Sequence, residues 1–226
     1  MVKKGLKQLY SRLKYSGRQK YFCIGKNKTG TTSLKVLFQK LGYKVGNQQE
    51  AEMLVFDWAK RDFRKIIDYS TYAGEVFQDI PFSLPETYKI LDQQFPDAKF
   101  ILTERDSPEA WYKSLVNFHT KLWGVDGNLP TKEHLMKATY RYPGFAWDAV
   151  RLTRNNLSET DLYNKESLIQ DYVTYNNEVK NYFEGQDDKL LVLNLKEKEA
   201  TSKISEFLGI VPIQEIPWEN KGTSGN

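Results

Sequence analysis

The chain contains a single cysteine, Cys23, so no internal disulfide can support the fold, and a reducing, cytoplasmic setting is the expectation. Long apolar runs are also missing. None approaches the roughly 18 residues of a membrane helix, and no apolar segment follows the basic start as a secretory signal would require. There are two histidines, His119 and His134, and no Cys/His cluster with metal-ligand spacing, so no metal is expected. Acids are absent from residues 1–20, which hold Lys3, Lys4, Lys7, Arg12, Lys14, Arg18 and Lys20. These seven charges exceed the net +4 of the whole chain, leaving −3 on the remainder. A nucleic-acid partner would call for a basic face on the body of the fold, so none is expected. The basic segment itself reads as a solvated helix whose Leu6, Leu9, Tyr10 and Leu13 pack on the domain. The alternative is peripheral contact of residues 1–20 with an acidic surface or membrane.

Repeats, low-complexity tracts and long Pro/Gly linkers are lacking as well, and 226 residues suit one domain, 1–226. What is present is an alternation of short apolar runs and amphipathic stretches. It implies an α/β fold, a central parallel β-sheet flanked by helices with a strand-loop-helix near the N-terminus. Strands are expected at 21–24, 43–45, 74–77, 99–103 and 190–195. Helices are expected at 33–41, stopped by Gly42, and at 50–67, 85–95, 108–122, 166–184 and 198–208. The aromatic-rich segment 123–165 is the least regular and reads as a lid over an acceptor site.

The strongest local signal runs from Gly25 to Leu34, Gly-Lys-Asn-Lys-Thr-Gly-Thr-Thr-Ser-Leu, between a buried strand and an amphipathic helix. A helix N-terminus entered through glycines is a natural anion site, and Lys28 adds a full positive charge. The spacing of Gly25, Gly30 and Thr32 suits a nucleotide-triphosphate P-loop. The residue after Gly30, however, is Thr31 rather than the lysine that would reach the β- and γ-phosphates. A P-loop kinase of a nucleotide or small metabolite is therefore the second reading.

Lys28-Thr29-Gly30-Thr31-Thr32 closely resembles the 5′-phosphosulfate loop of sulfotransferases that use 3′-phosphoadenosine 5′-phosphosulfate (PAPS), Lys-[Ser/Thr]-Gly-Thr-[Thr/Ser]. The resemblance implies that Lys28, Thr29, Gly30, Thr31, Thr32 and Ser33 hold the donor's phosphosulfate, with Lys28 assisting departure of the bridging oxygen. The same family carries Arg-[Asp/Asn]-Pro after a later strand, followed by a serine, and these bind the 3′-phosphate. Here Arg105-Asp106-Ser107-Pro108 carries one extra residue, while Pro108 to Ser114 keeps the family spacing of six. The insertion is therefore expected in the loop, with Pro108 at the first helical position and Arg105 and Ser114 as the binding pair. Lys221 and Gly222 resemble the family's late basic-glycine loop. The implied product is 3′-phosphoadenosine 5′-phosphate.

Sulfuryl transfer, like phosphoryl transfer, depends on positioning and positive charge, and a base adds to it by taking the acceptor's proton. Asp79, at the C-terminal end of an expected strand, is the first candidate base, with Glu75 a weaker rival inside the strand. His119 is the other candidate, because imidazole titrates near neutrality, and His134 ranks below it. The acceptor is a hydroxyl or amine, with a carbohydrate or a small hydroxylated metabolite preferred.

Overall fold

The computed structural model describes residues 2–154 and 157–217. The chain divides into two compact units, Met1–Glu104 with Glu178–Asn226, and Arg105–Asn177.

The first unit is built on four parallel strands: β1 (Tyr21–Cys23), β2 (Val76–Gln78), β3 (Lys99–Thr103) and β4 (Leu190–Leu193), in the order β2-β1-β3-β4. Phe22 lies opposite Phe77 on one side and Phe100 on the other. β1 lies between β2 and β3, and β1 and β2 are buried throughout. This is why β1 appears in the sequence as a continuous apolar run rather than an alternating one. One sheet face packs Tyr21, Cys23, Val76 and Ile101 against α2 (Thr31–Lys40) and α11 (Ala200–Leu208), through Leu34, Leu37, Phe38, Ile204 and Phe207. On the other face Phe22 stacks with Phe77 and Phe100, and Phe100 meets Phe183 at 4.8 Å between ring centroids. Gly42 (φ 86°) ends α2 as expected: its N–H bonds Gln39 O and that of Tyr43 bonds Phe38 O, a Schellman closure.

Three expectations are corrected in this unit. Residues 43–45 do not form a strand; only Val45 bridges to Val76, with Lys44 O accepting from Glu75 and Val76 N–H. Residues 50–67 do not form one helix but fall into α3 (Gln48–Glu52), α4 (Val55–Ala59) and α5 (Arg64–Tyr72). Arg61 adopts φ 57°, and the Asp62 carboxylate accepts the Arg64 N–H, so the chain turns and restarts there. The first helix, α1 (Val2–Tyr15), exists, but Leu6, Leu9, Tyr10 and Leu13 are 55–80% exposed instead of packed on the domain. Lys20, counted above among the solvated charges, is buried. Its ammonium donates to Tyr15 O (2.7 Å), Thr71 O (3.1 Å) and Gly74 O (2.8 Å), satisfying carbonyls at the ends of α1 and α5. The remaining helix wholly in this unit is α6 (Thr87–Gln94).

The second unit contains α7 (Pro108–Trp123), α8 (Lys132–Lys137), α9 (Phe145–Thr153) and most of α10 (Lys165–Tyr182), so the aromatic segment 123–165 falls wholly within it. Its core gathers Trp111, Leu115, Leu135, Val150, Leu162, Tyr163, Leu168 and Tyr172. Trp111 and Tyr172 stack at 4.5 Å with 11° between planes. Ser107 caps α7 by accepting the Ala110 N–H at 3.1 Å, and Pro108 occupies the first turn.

Candidate active site

Because the four strands are parallel, the loops after β1, β2 and β3 leave the same edge of the sheet. β1 lies where the connections diverge to either side, the usual ligand position in open α/β sheets. The loop after β1 is fixed from below. The Thr29 hydroxyl donates to Lys26 O at 2.6 Å and lies 2.6 Å from Thr103 Oγ1 at the end of β3. Gly25 is required by proximity: a Cβ there would stand 2.1 Å from Thr103 Oγ1 and 2.8 Å from its backbone N. Gly30 is required by conformation. At φ 108° it leads into α2 as its N-cap without a side-chain acceptor, and a Cβ would meet Leu195 Cδ1 at 2.3 Å. The start of α2 thus presents its positive dipole end beside Lys28, itself held at φ 74°. Thr31 and Ser33 are buried in the first turn, while Thr32 is half-buried.

Asp79 follows β2 directly, at φ 58° and 5% exposed. The Thr31 hydroxyl stands near enough to its carboxylate to favour the ionised form. Gln78 Nε2 donates to Asp79 Oδ2 at 3.1 Å, and Gln48 Nε2 donates to the same oxygen at 3.0 Å and to Glu52 Oε1 at 2.9 Å. Burial pushes the Asp79 carboxyl up to about 6. The Thr31 hydroxyl opposes this, the Glu52 charge reinforces it, and Lys35 and Lys28 pull it back. A carboxyl poised near neutrality, within the field of Lys28, suits proton transfer. Lys28 and Asp79, both non-glycine residues in the left-handed region, are backbone outliers of the kind that gather at functional sites.

Within the second unit, Arg105 Nη2 donates to Ser114 Oγ at 3.3 Å, and the Arg105 N–H donates to the Tyr172 hydroxyl at 3.1 Å. The extra residue before Pro108 is absorbed in the loop and the cap, and α7 turns Ser114 toward Arg105. The profile of the sulfotransferase domain family matches residues 20–224. The chain belongs to the sulfotransferase family. The match spans the loop after β1, Asp79 and the Arg105–Ser114 pair together, and it assigns the chain to the transferases. Comparison with curated proteins finds no match.

The other residues expected in this sulfotransferase's site fall as follows. His119 lies in the second unit, with Nδ1 2.8 Å from the Tyr163 hydroxyl and its ring edge-on to Trp123 at 4.7 Å. His134 closes a capping box at the start of α8 with Thr131. Glu75 lies just before β2, not inside the strand as expected, and its carboxylate accepts the Lys44 N–H. Lys221 and Gly222 lie outside the described residues. Among the described residues no group of three or more His, Cys, Asp or Glu is arranged to hold a metal. Cys23 is buried inside β1, where burial pushes its thiol well up, and it takes no part in the site.

Sequence reading missed Gln48, Glu52, Gln78 and Thr103. Thr103 closes a strand and Gln78 sits beside Asp79, but nothing in the sequence brings 48 and 52 near 79.

Proposed function

We propose that this sulfotransferase moves a sulfuryl group from PAPS to a hydroxyl or amine by in-line transfer. The observation that carries the reading is the placement of a phosphate-type loop and a buried carboxyl, Asp79, at the ends of neighbouring parallel strands. Lys28 and the first turn of α2 receive the donor's 5′-phosphosulfate. The Arg105–Ser114 pair suits the 3′-phosphate, since a guanidinium and a hydroxyl are standard donors to phosphate oxygens. The fit is supported by the donor set itself: a lysine, threonine hydroxyls and a helix N-terminus beside one another, all suited to an anion.

In the reaction the acceptor oxygen or nitrogen forms its bond to sulfur as the bond from sulfur to the bridging phosphate oxygen breaks. Asp79, ionised above about pH 6, takes the acceptor's proton. Lys28 and the α2 dipole stabilise the charge that appears on the leaving phosphate. Between the two proton-transfer candidates we assign the base to Asp79, because it is buried at the end of β2 within the field of Lys28, whereas His119 is engaged by Tyr163 and Trp123 within its own unit. The preferred acceptor is a carbohydrate or a small hydroxylated metabolite, and the single buried cysteine fits a reducing compartment such as the cytoplasm.

The test is to incubate the protein with PAPS and a panel of hydroxylated and amino acceptors without metal and to follow 3′-phosphoadenosine 5′-phosphate release together with acceptor mass. Acceptor-dependent release that disappears in Lys28→Ala is expected. Transfer seen only with ATP and magnesium would overturn the reading in favour of a kinase.

A further inference from the structure

Helix α1 is amphipathic in the reverse of the usual sense. Its half-buried residues are Gln8, Ser11, Arg12 and Tyr15. Arg12 pairs with Asp68 of α5 and lies 4.9 Å over the Tyr72 ring, and Tyr15 O is held by the buried Lys20. The helix is therefore fastened to the first unit through its polar side. Leu6, Leu9, Tyr10 and Leu13 are 62%, 55%, 64% and 80% exposed. At about 100° of rotation per residue these four positions share an arc of roughly 100°, the width of a docking face. Positions 3, 7 and 14, all lysine in the sequence, follow one another along a single border of that arc.

An outward apolar stripe costs solvation unless something covers it, and the charge of the segment says what. Even without Lys20, which is buried, and Arg12, which pairs with Asp68, residues 1–20 hold Lys3, Lys4, Lys7, Lys14 and Arg18 and no acid. A second copy of this chain would bring an equally basic segment to the same face and be repelled. We propose that α1 is a membrane-surface anchor: the Leu6, Leu9, Tyr10 and Leu13 face enters the interfacial region of a bilayer while the bordering lysines meet anionic lipid headgroups. Helices of this composition lie in the interface plane, and basic residues near such a surface are attracted to anionic lipids. The anchor would hold the sulfotransferase unit at a lipid surface; among the described residues no helix is long and apolar enough to cross a membrane.

The experiment is co-sedimentation of the full chain with phosphatidylcholine vesicles, with and without roughly one third phosphatidylserine. The proposal expects binding to the anionic vesicles at least tenfold tighter than to the neutral ones, weakened by salt. It further expects at least a tenfold loss in a Leu9→Ser/Leu13→Ser variant. Because both side chains are exposed, that variant keeps the wild-type circular dichroism spectrum and melting temperature. Absence of wild-type binding to anionic vesicles would overturn the proposal, as would undiminished binding of the folded variant. Self-association without lipid that the same variant abolishes would also overturn it, making the face a contact between copies.

Discussion

Thr31, the first residue of α2, stands beside the carboxylate of Asp79, the first residue after β2, so the turn that follows β1 and the candidate base are neighbours. The Thr31 hydroxyl opposes the effect of burial on Asp79, because it favours the ionised form. Thr31→Val removes that hydroxyl with little change of volume, and the Asp79 carboxyl is expected to move further up. The acid limb of the kcat/KM profile should then shift to higher pH, while donor affinity changes less than in Lys28→Ala.

The pH dependence of the wild type follows from the same group. Asp79 titrates at about 6 in the folded protein, so activity needing its ionised form should fall as pH drops through that value. Asp79→Asn should lower kcat by roughly 10²–10⁴-fold and remove that limb, whereas His119→Asn should leave it in place. Retention of the limb in Asp79→Asn would move the base elsewhere.

Stability carries the opposite sign. A carboxyl whose folded value is raised binds more protons in the native state than in the unfolded chain between about pH 4 and 6. It stabilises the fold at low pH, and that contribution is lost as pH rises through about 6. Above that pH the buried charge costs on the order of 2–3 kcal/mol. Asp79→Asn is therefore expected to raise the melting temperature at neutral pH while it depresses activity, and thermal unfolding at pH 5 and pH 8 checks this. Glu52→Gln should act in the same direction by lowering the Asp79 value, moving the activity limb to lower pH.

The Arg105–Ser114 pair makes a prediction that separates binding of the 3′-phosphate from everything else. Arg105→Ala should weaken binding of 3′-phosphoadenosine 5′-phosphate by roughly ten- to a hundredfold, the range for a charged hydrogen bond. It should leave binding of adenosine 5′-phosphate, which lacks the 3′-phosphate, nearly unchanged. Equal losses for both nucleotides would mean that Arg105 supports the unit rather than the ligand.

Gly25→Ala should be severely destabilising. Its Cβ would overlap Thr103 Oγ1 and press the Thr103 backbone N and O at 2.8 Å, and the backbone cannot withdraw without disturbing the pairing of β3 with β4. A loss of at least roughly 1–3 kcal/mol in chemical denaturation is expected.

The elements legible in the sequence are those whose signals are local. Residues 99–103 form a strand with no shift of boundary, because an apolar run there is bounded by Pro-Asp on one side and Arg-Asp on the other. Helix α7 starts where Ser107 and Pro108 together define a cap and a first turn. The turn after β1 and the helix that follows are legible because Gly25 and Gly30 stand where a side chain would clash. Non-local features were not readable. Residues 43–45 have the composition of a strand, but only Val45 finds a partner position against β2. The apolar spacing of 50–67 fits one helix, yet tertiary packing prefers a left-handed turn at Arg61. Leu6, Leu9, Tyr10 and Leu13 have the pattern of a core-facing stripe. Periodicity places them together but does not say which side faces inward; the Arg12–Asp68 pair and the Arg12–Tyr72 contact decide that.

The central claim is tested most directly by calorimetric titration of 3′-phosphoadenosine 5′-phosphate and, separately, of ATP with magnesium, into the wild type and Lys28→Ala. The account predicts binding of the bisphosphate that needs no magnesium and weakens at least tenfold in the variant. Magnesium-dependent ATP binding with no binding of the bisphosphate would contradict it.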